Sequence, residues 1–330
     1  VARLGGAFGG KEDQATPWAA VAALAASALQ RPVRIALTRG EDMRMTGKRH
    51  PYSSDFKIGL DAEGTILAFE ATYYQNAGAA ADLSPAILER SLFHATGSYF
   101  VPNVRVTAHS CRTNLPPFTA FRGFGAPQAM FVMESAITRA AEKTGLTRRE
   151  IQRRNLISEG DLFPYGMSAQ QGNAQRAFRE VEERFDVAEI ERDAAVHNRT
   201  HPLTKRGVAM MPVCFGISFT STFLNQAAAL VHIYTDGSVS VSTGAVEMGQ
   251  GVNTKIAGIA AHTLGVSNPR IRIETTNTTR VANTSPTAAS SGADMNGRAV
   301  EIACGMILDR LLAVAAQRLD TSADRVTIHD

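Results

Sequence analysis

The stretch AAALVHIYTDGSVSVSTGAVEMGQGVNTKIAGIAAHTL, residues 227–264, decides the fold class. Ala227 to Tyr234 and Ser238 to Thr243 read as extended segments on either side of Asp236-Gly237, a pair suited to a tight turn, so a β-hairpin is expected. The period then changes. After Glu247-Met248-Gly249-Gln250-Gly251, apolar residues recur at helical spacing from about Asn253 to Leu264. A hairpin that feeds a glycine loop and then a helix belongs to an α+β architecture rather than to a bundle or an all-β sandwich.

Downstream, Ile271 to Glu274 is again extended, a Thr/Asn/Ser-rich loop runs from Asn277 to Gly292, and a helix ends near Arg318. Upstream, Leu4 to Glu12 is glycine-rich, and Thr16-Pro17 opens an Ala-rich apolar run to Gln30 that predicts a buried helix. Val33 to Leu37 reads as a strand. Phe56, Ile58 and Leu60 alternate before the Asp61-Ala62-Glu63-Gly64 turn, and Ile66 to Tyr74 resumes the pattern, which predicts a second hairpin. Gln128 to Lys143 is helical in spacing, Thr147 with Glu150 makes a capping box for a helix to Asn155, and Phe178, Val181 and Phe185 mark one inward face of a surface helix from Asn173. Polar residues dominate from about Tyr165 to Thr204. The expected organisation is therefore a first lobe over 1–165, a connecting segment over 166–204 and a second lobe over 205–330, incomplete at its C-terminal end. Both halves place a glycine-rich loop before an apolar helix. The fold expected is α+β, two lobes of mixed sheets and helices.

Composition narrows the partners. Of 330 residues, 44% are apolar and 20% charged, values that suit a globular chain with its own cores. The net charge of +3 is spread rather than clustered, which argues against nucleic acid. Cys111, Cys214 and Cys304 form no CxxC pair and are expected to be reduced, most of them as core residues. No apolar run is long enough to span a bilayer and no signal-peptide pattern opens the chain, so no membrane partner and a cytoplasmic location are expected. The first residue is Val1, which suggests a piece of a larger protein.

Several loops could carry chemistry. Gly5-Gly6-Ala7-Phe8-Gly9-Gly10-Lys11 satisfies GxxxxGK, but Glu12 replaces the Ser/Thr of a phosphate loop, where a carboxylate would repel a nucleoside triphosphate. A plain turn between strand and helix fits the same residues. Glu247 to Gly251 adds the amide of Gln250, which can donate and accept, although a hairpin-to-helix connection fits equally. Ala120-Phe121-Arg122-Gly123-Phe124-Gly125-Ala126-Pro127-Gln128 can present a ring and a guanidinium to one ligand, or form a packed aromatic corner. Phe215 to Thr220 offers two rings and hydroxyls, or a core strand. Ser285 to Gly292 resembles either an anion site before a helix or a surface turn. There is no HExxH spacing, no zinc-like cluster and no Gly-x-Ser-x-Gly elbow.

Taken in order, Gly5 to Glu12, Arg90-Ser91-Leu92-Phe93-His94, Thr119 to Gly125, Phe215 to Asn225, Glu247 to Gly251 and Thr287-Ala288-Ala289-Ser290 resemble the molybdenum-cofactor region of xanthine dehydrogenases and oxidases, over nearly the whole chain. The resemblance implies a molybdenum hydroxylase cofactor-domain fold and a metal held by a pterin dithiolene, with none ligated by protein side chains. It implies that Phe8, Gly9, Arg122, Gln250, Ala289 and Ser290 bind the cofactor. It implies that Glu12 and Arg90 orient a purine and stabilise its charge, that Phe124 and Phe219 sandwich it, and that Thr220 touches it. The implied reaction converts hypoxanthine or xanthine to urate, as in purine catabolism. 2Fe-2S clusters and FAD on other segments or subunits, NAD as final acceptor, the remaining molybdenum-domain segments and an oligomeric assembly follow from the same resemblance. Aldehyde oxidases resemble this framework but generally carry apolar residues at the positions of Glu12 and Arg90. The family's catalytic glutamate lies in a Gly-Glu-Pro-type motif that this chain lacks. Two readings from other classes are a P-loop-like nucleotide binder using Lys11 and an inactive interaction lobe.

Overall fold

The computed structural model describes residues 3–9, 12–277, 279–281 and 284–329. The chain forms two compact units, one of Asp13–Phe215 and one of Val1–Glu12 with Gly216–Asp330.

The Asp13–Phe215 unit opens with helices α1 (Thr16–Leu29) and α2 (Arg39–Met45). Strand β1 (Tyr52–Leu60) then pairs antiparallel with β2 (Ile66–Gly78), Ile58 opposite Phe69, as the sequence predicts. A crossover carrying α3 (Ser84–Phe93) brings β3 (Val104–Arg112) parallel to β2. Period-2 alternation sends Phe69, Ala71 and Tyr73 of β2 to one face, where they meet Ala129, Met133, Ala136 and Ile137 of α4 (Ala126–Thr144) in a single core. Helix α5 (Arg148–Asn155) starts at the expected capping box: Glu150 N–H donates to Thr147 Oγ1 at 3.2 Å, and Thr147 N–H donates to Glu150 Oε2 at 2.7 Å. Its last residue fixes the β1–β2 turn, because Asn155 Nδ2 donates to the Gly64 carbonyl at 2.9 Å and Oδ1 accepts Ile66 N–H at 2.7 Å.

The polar segment folds as α6 (Ala174–Phe185) and α7 (Val187–Thr200), with Arg149 bridging Glu182 and Glu191. Of the three apolar residues read as an inward face, only Phe178 is buried; Val181 and Phe185 stay exposed, so that face is narrower than its spacing implies. Two more expectations fail here. Helix α1 buries none of its residues, and its helical state rests on the propensity of alanine rather than on a covered apolar stripe. Val33 to Leu37 has no ladder partner among the described residues and is not a strand, since β-propensity without a neighbouring edge does not make a sheet.

In the other unit, β4 (Ala229–Ile233) pairs antiparallel with β5 (Val239–Thr243), and β5 parallel with β6 (Ile271–Ile273). Helix α8 (Val252–Leu264) occupies the crossover and α9 (Gly292–Leu319) follows the sheet. Val231, Val241, Ile256, Leu264, Val300 and Cys304 share one core. Every residue of β5 is buried, as befits a strand covered on both faces. Both units thus use one pattern, hairpin, helix, parallel third strand, helix, with sheet order β1-β2-β3 in one and β4-β5-β6 in the other.

The cysteines are free, and the expectation that they fill the core holds for Cys304, which is buried, while Cys214 is half-buried and Cys111 is exposed at the end of β3. Among the described residues no helix is long and apolar enough to cross a membrane.

Candidate functional site

In each unit the loop before the last helix of the pattern is held in left-handed backbone. Ahead of α4, Gly123, Phe124 and Gly125 have φ of 95°, 49° and 92°. Ahead of α9, Ala289 and Ser290 have φ of 55° and 58°. A non-glycine residue in this region costs about 1–3 kcal/mol and persists only where the surroundings over-determine it. Arg122 and Phe124 lie on the first of these turns, Ala289 and Ser290 on the second.

The α4 turn is clamped from two sides. Arg49 Nη2 donates to the Arg122 carbonyl at 2.6 Å while its guanidinium lies 4.6 Å from the Phe121 ring centroid. Ser91 Oγ donates to the Gly125 carbonyl at 3.1 Å, and a Cβ on Gly125 would come 2.2 Å from the Ile87 carbonyl oxygen. Both Ile87 and Ser91 belong to α3, three residues before and one residue after Arg90, so the loop that bears Phe124 and the helix that bears Arg90 are fastened together. Arg90 is only 8% exposed, and its guanidinium carbon lies 5.9 Å from the Phe215 ring centroid. Burial holds its pKa below the ordinary guanidinium value, with Glu89 and Tyr165 opposing. Arg122 is exposed and Phe124 half-buried.

In the second unit Leu4 N–H donates to the Glu247 carbonyl at 2.9 Å, which sets the first glycine segment beside the second. Phe8 and Gly9 form a turn with φ of 53° and 89°, and the Phe8 ring is 64% exposed. Gly10 and Lys11 lie outside the described residues. Helix α1 starts at Thr16 rather than at Lys11, unlike a phosphate loop, which runs straight into its helix. Gln250 turns its amide on its own loop: Oε1 accepts Met248 N–H at 2.6 Å and Nε2 donates to the Val246 carbonyl at 2.9 Å. One N–H and one lone pair of that amide remain for a ligand. Ser218 N–H donates to the Ala289 carbonyl at 2.9 Å, joining the Phe219 segment to the α9 turn. Phe219 is held by Asn225, whose Oδ1 accepts its N–H and whose Nδ2 donates to its carbonyl, both at 2.9 Å. The alternative of a core strand at Phe215 to Thr220 is not realised, and Ser218 has a φ of 73°. Glu12 and Thr220 are half-buried.

The unspent donors and acceptors suit a polar group that can both accept and donate. Around the α4 turn, Arg49 Nη1, His50 Nδ1 and Gln128 Oε1 are buried with their hydrogen-bonding capacity unspent. Around the α9 turn, Ser285 Oγ and Asn296 Oδ1 are in the same position and line one small cavity with Phe219, Thr287 and Ser291. Buried polar atoms left this way are costly unless a ligand or ordered water answers them. A pterin edge and its phosphate offer both donors and acceptors, so the residues present fit such a group. Among the described residues no three His, Cys, Asp or Glu side chains gather as metal ligands.

Sequence reading missed Arg49, Ser91 and Glu247. Their partners are distant in the chain or are backbone groups, and neither leaves a spacing signal.

Two family models, each described as a molybdopterin cofactor-binding domain, match residues 1–156 and 180–330. The chain belongs to this family. It is 45% identical over 311 residues to the xanthine dehydrogenase/oxidase of Rattus norvegicus, covering 94% of this chain and 23% of that protein. It is 44% identical over 313 residues to the nicotinate hydroxylase of Emericella nidulans, with 94% and 23% covered. The chain therefore spans about a quarter of the length of these relatives. The crystal structure of quinoline 2-oxidoreductase from Pseudomonas putida 86 superimposes with a TM-score of 0.82 at 24% identity, over 99% of this chain and 43% of that one. The fold is the α+β cofactor-domain type of the molybdenum hydroxylases, as the sequence led us to expect. As molybdopterin cofactor-binding domains, the two matched regions contain the turns described above: Phe8-Gly9 and Arg122 in the first, Gln250 and Ala289-Ser290 in the second.

Proposed function

We propose that this chain is the pterin-binding part of a molybdenum hydroxylase that oxidises hypoxanthine and xanthine to urate. The observation that carries the reading is Arg90: a buried guanidinium on α3, packed by Phe215, on the helix that also fastens the Phe124 loop. A cation kept out of water there interacts with developing charge more strongly than one in solvent, and a positioned donor of this kind is worth ~3 kcal/mol or more at the transition state.

When bound, the pterin-held molybdenum supplies the two-electron oxidation and the oxygen that enters the ring. This chain supplies grip and orientation. Phe8, Gly9, Arg122, Gln250, Ala289 and Ser290 hold the pterin and its phosphate. Phe124 and Phe219 give the flat apolar faces that a purine needs, Thr220 adds a hydroxyl, and Glu12 and Arg90 bond in the plane of the rings. As negative charge builds on the heterocycle, Arg90 stabilises it and Glu12 holds the opposite edge. The proton-accepting glutamate belongs to another segment of the full protein, as do the 2Fe-2S and FAD centres that take the electrons on towards NAD. The organisation into lobes over 1–165 and 205–330 joined by 166–204, an oligomeric assembly and a cytoplasmic setting belong to the same reading.

A second heterocycle comes from the relatives. Identity to a nicotinate hydroxylase, 44%, is close to the 45% with xanthine dehydrogenase/oxidase, and Arg90 suits a ring carboxylate as well as a purine oxygen. Specificity constants of the complete enzyme for xanthine, hypoxanthine, nicotinate and an aromatic aldehyde separate the cases. Xanthine and hypoxanthine are expected to lead; leading turnover of nicotinate or of the aldehyde would replace the purine assignment.

A further inference from the structure

We propose that Glu247 is a positioning residue whose carboxylate fills, from within the chain, the anion slot at the start of α8, and so holds the glycine loops in the arrangement that receives the pterin. The proposal rests on the pterin-binding reading above.

Glu247 is 6% exposed, yet both of its carboxylate oxygens accept backbone hydrogen bonds. Oε1 accepts the N–H groups of Gly249 at 2.8 Å and Gly251 at 3.1 Å, and Oε2 accepts that of Asn253 at 3.2 Å. These amides lie in the loop and the first turn of α8, where a helix start leaves donors unpaired and its dipole favours negative charge. The residue at the N-cap is Gly251, which has no side chain to offer for a cap hydrogen bond. Glu247 takes that part from four residues upstream of the cap. Burial pushes its carboxyl up, but the three N–H donors and Arg3 outweigh burial and leave it below its ordinary value.

Two consequences follow for the ligand. In glycine-rich dinucleotide loops the amides at the helix start remain open for phosphate. Here three of the loop and first-turn amides, those of Gly249, Gly251 and Asn253, are spent on Glu247, so a ligand over Met248–Gly251 meets the Gln250 side chain and a reduced set of open amides. The main chain at 246–247 also gathers the neighbouring segments: the Glu247 carbonyl accepts Leu4 N–H at 2.9 Å, and Val246 N–H donates to Thr287 Oγ1 at 2.9 Å. Segments 4–9, 248–251 and 284–291 each carry proposed pterin contacts, and all three are tied at this point.

The test uses the full-length holoenzyme with Glu247→Gln and Glu247→Ala. Hydrogen exchange of 248–253 reads the loop without reference to turnover, and released pterin and molybdenum per protein read the cofactor. Both variants are expected to exchange faster over 248–253 and to lose roughly 10-fold in cofactor affinity, the lower end for a residue that orients a metal-site contact from behind. Formate, a small carboxylate, is expected to refill the slot of Glu247→Ala and restore both signals, but not those of Glu247→Gln, whose amide occupies it. Unchanged exchange and cofactor content in both variants overturns the proposal. Loss in Glu247→Ala that formate does not relieve, together with a normal Glu247→Gln, also overturns it, because shape and not charge then matters. If Glu247→Ala does not fold, Glu247→Gln decides alone. Absence of molybdenum and pterin from the unsubstituted protein would instead strike the functional reading, and hydrogen exchange would still judge the carboxylate slot.

Discussion

Replacing Gly125 with alanine probes the joint between the Phe124 loop and the Arg90 helix. Gly125 has a φ of 92°, where an L-residue is strained by about 1–3 kcal/mol. The new methyl would also lie 2.2 Å from the Ile87 carbonyl oxygen and 2.7 Å from Ser91 Oγ. Both belong to α3, so relief requires the loop and helix to part, at a further ~1–3 kcal/mol for overpacking. The total of ~4 kcal/mol lowers the thermal midpoint on the order of 10 °C for a unit of this size. Gly145→Ala is the control: its φ is 77°, but nothing lies within 4 Å of the added Cβ, so only the backbone cost of ~1 kcal/mol applies. Calorimetry of the full protein measures both, and steady-state kinetics should show a raised KM for xanthine only in Gly125→Ala. If the two variants lose equal stability and keep equal KM, the close packing of loop on α3 is not what holds the site.

Further outcomes are expected elsewhere. Arg90→Met should lower kcat/KM for xanthine by roughly 10²-fold or more, the loss of ~3 kcal/mol of charge stabilisation, and unchanged turnover would remove Arg90 from its role. Burial of His50, whose Nε2 lies 2.7 Å from Ser84 Oγ, pulls its pKa from 6.5 to about 4, against the opposing charge of Asp82. The unfolded chain therefore takes up a proton that the folded one refuses between these values. Stability from this source is whole above pH 6.5 and falls by about 3 kcal/mol as pH drops to 4. Denaturant titrations of His50→Gln across that window should show a shallower pH slope than the unsubstituted protein; identical slopes would refute it. Thr147→Ala removes the side chain that caps α5 and should cost ~1 kcal/mol in the same titrations.

Local signals were the legible ones. The turn at Asp236-Gly237, the Thr147–Glu150 box and the apolar periodicity of α4 and α8 all act within a few residues, and each element appears where its sequence places it. Val33 to Leu37 and α1 show the limit of such signals, since a strand needs an edge and a buried helix needs a cover, and neither is written in the segment itself. The repetition legible in the sequence differs from the structural one. It pairs the glycine loops at Gly5 and Gly249, whereas the structural repeat is the hairpin–helix–strand–helix pattern, which pairs the turn at Gly123–Gly125 with that at Ala289-Ser290. Half of that second correspondence is invisible to composition because Phe124, Ala289 and Ser290 adopt left-handed backbone without being glycine. The Phe121–Gly125 loop was legible as a candidate site, by its ring and guanidinium, or as an aromatic corner; that Arg49 and Ser91 hold it was not, because those contacts span 73 and 34 residues of chain.

The central claim is that the left-handed turns and the tied glycine segments hold a molybdenum-bearing pterin. Metal and pterin analysis of the purified full-length protein addresses it most directly. The account expects molybdenum and pterin in equal amounts, both retained through gel filtration. Protein free of both, which instead binds ATP in a magnesium-dependent titration, would contradict it.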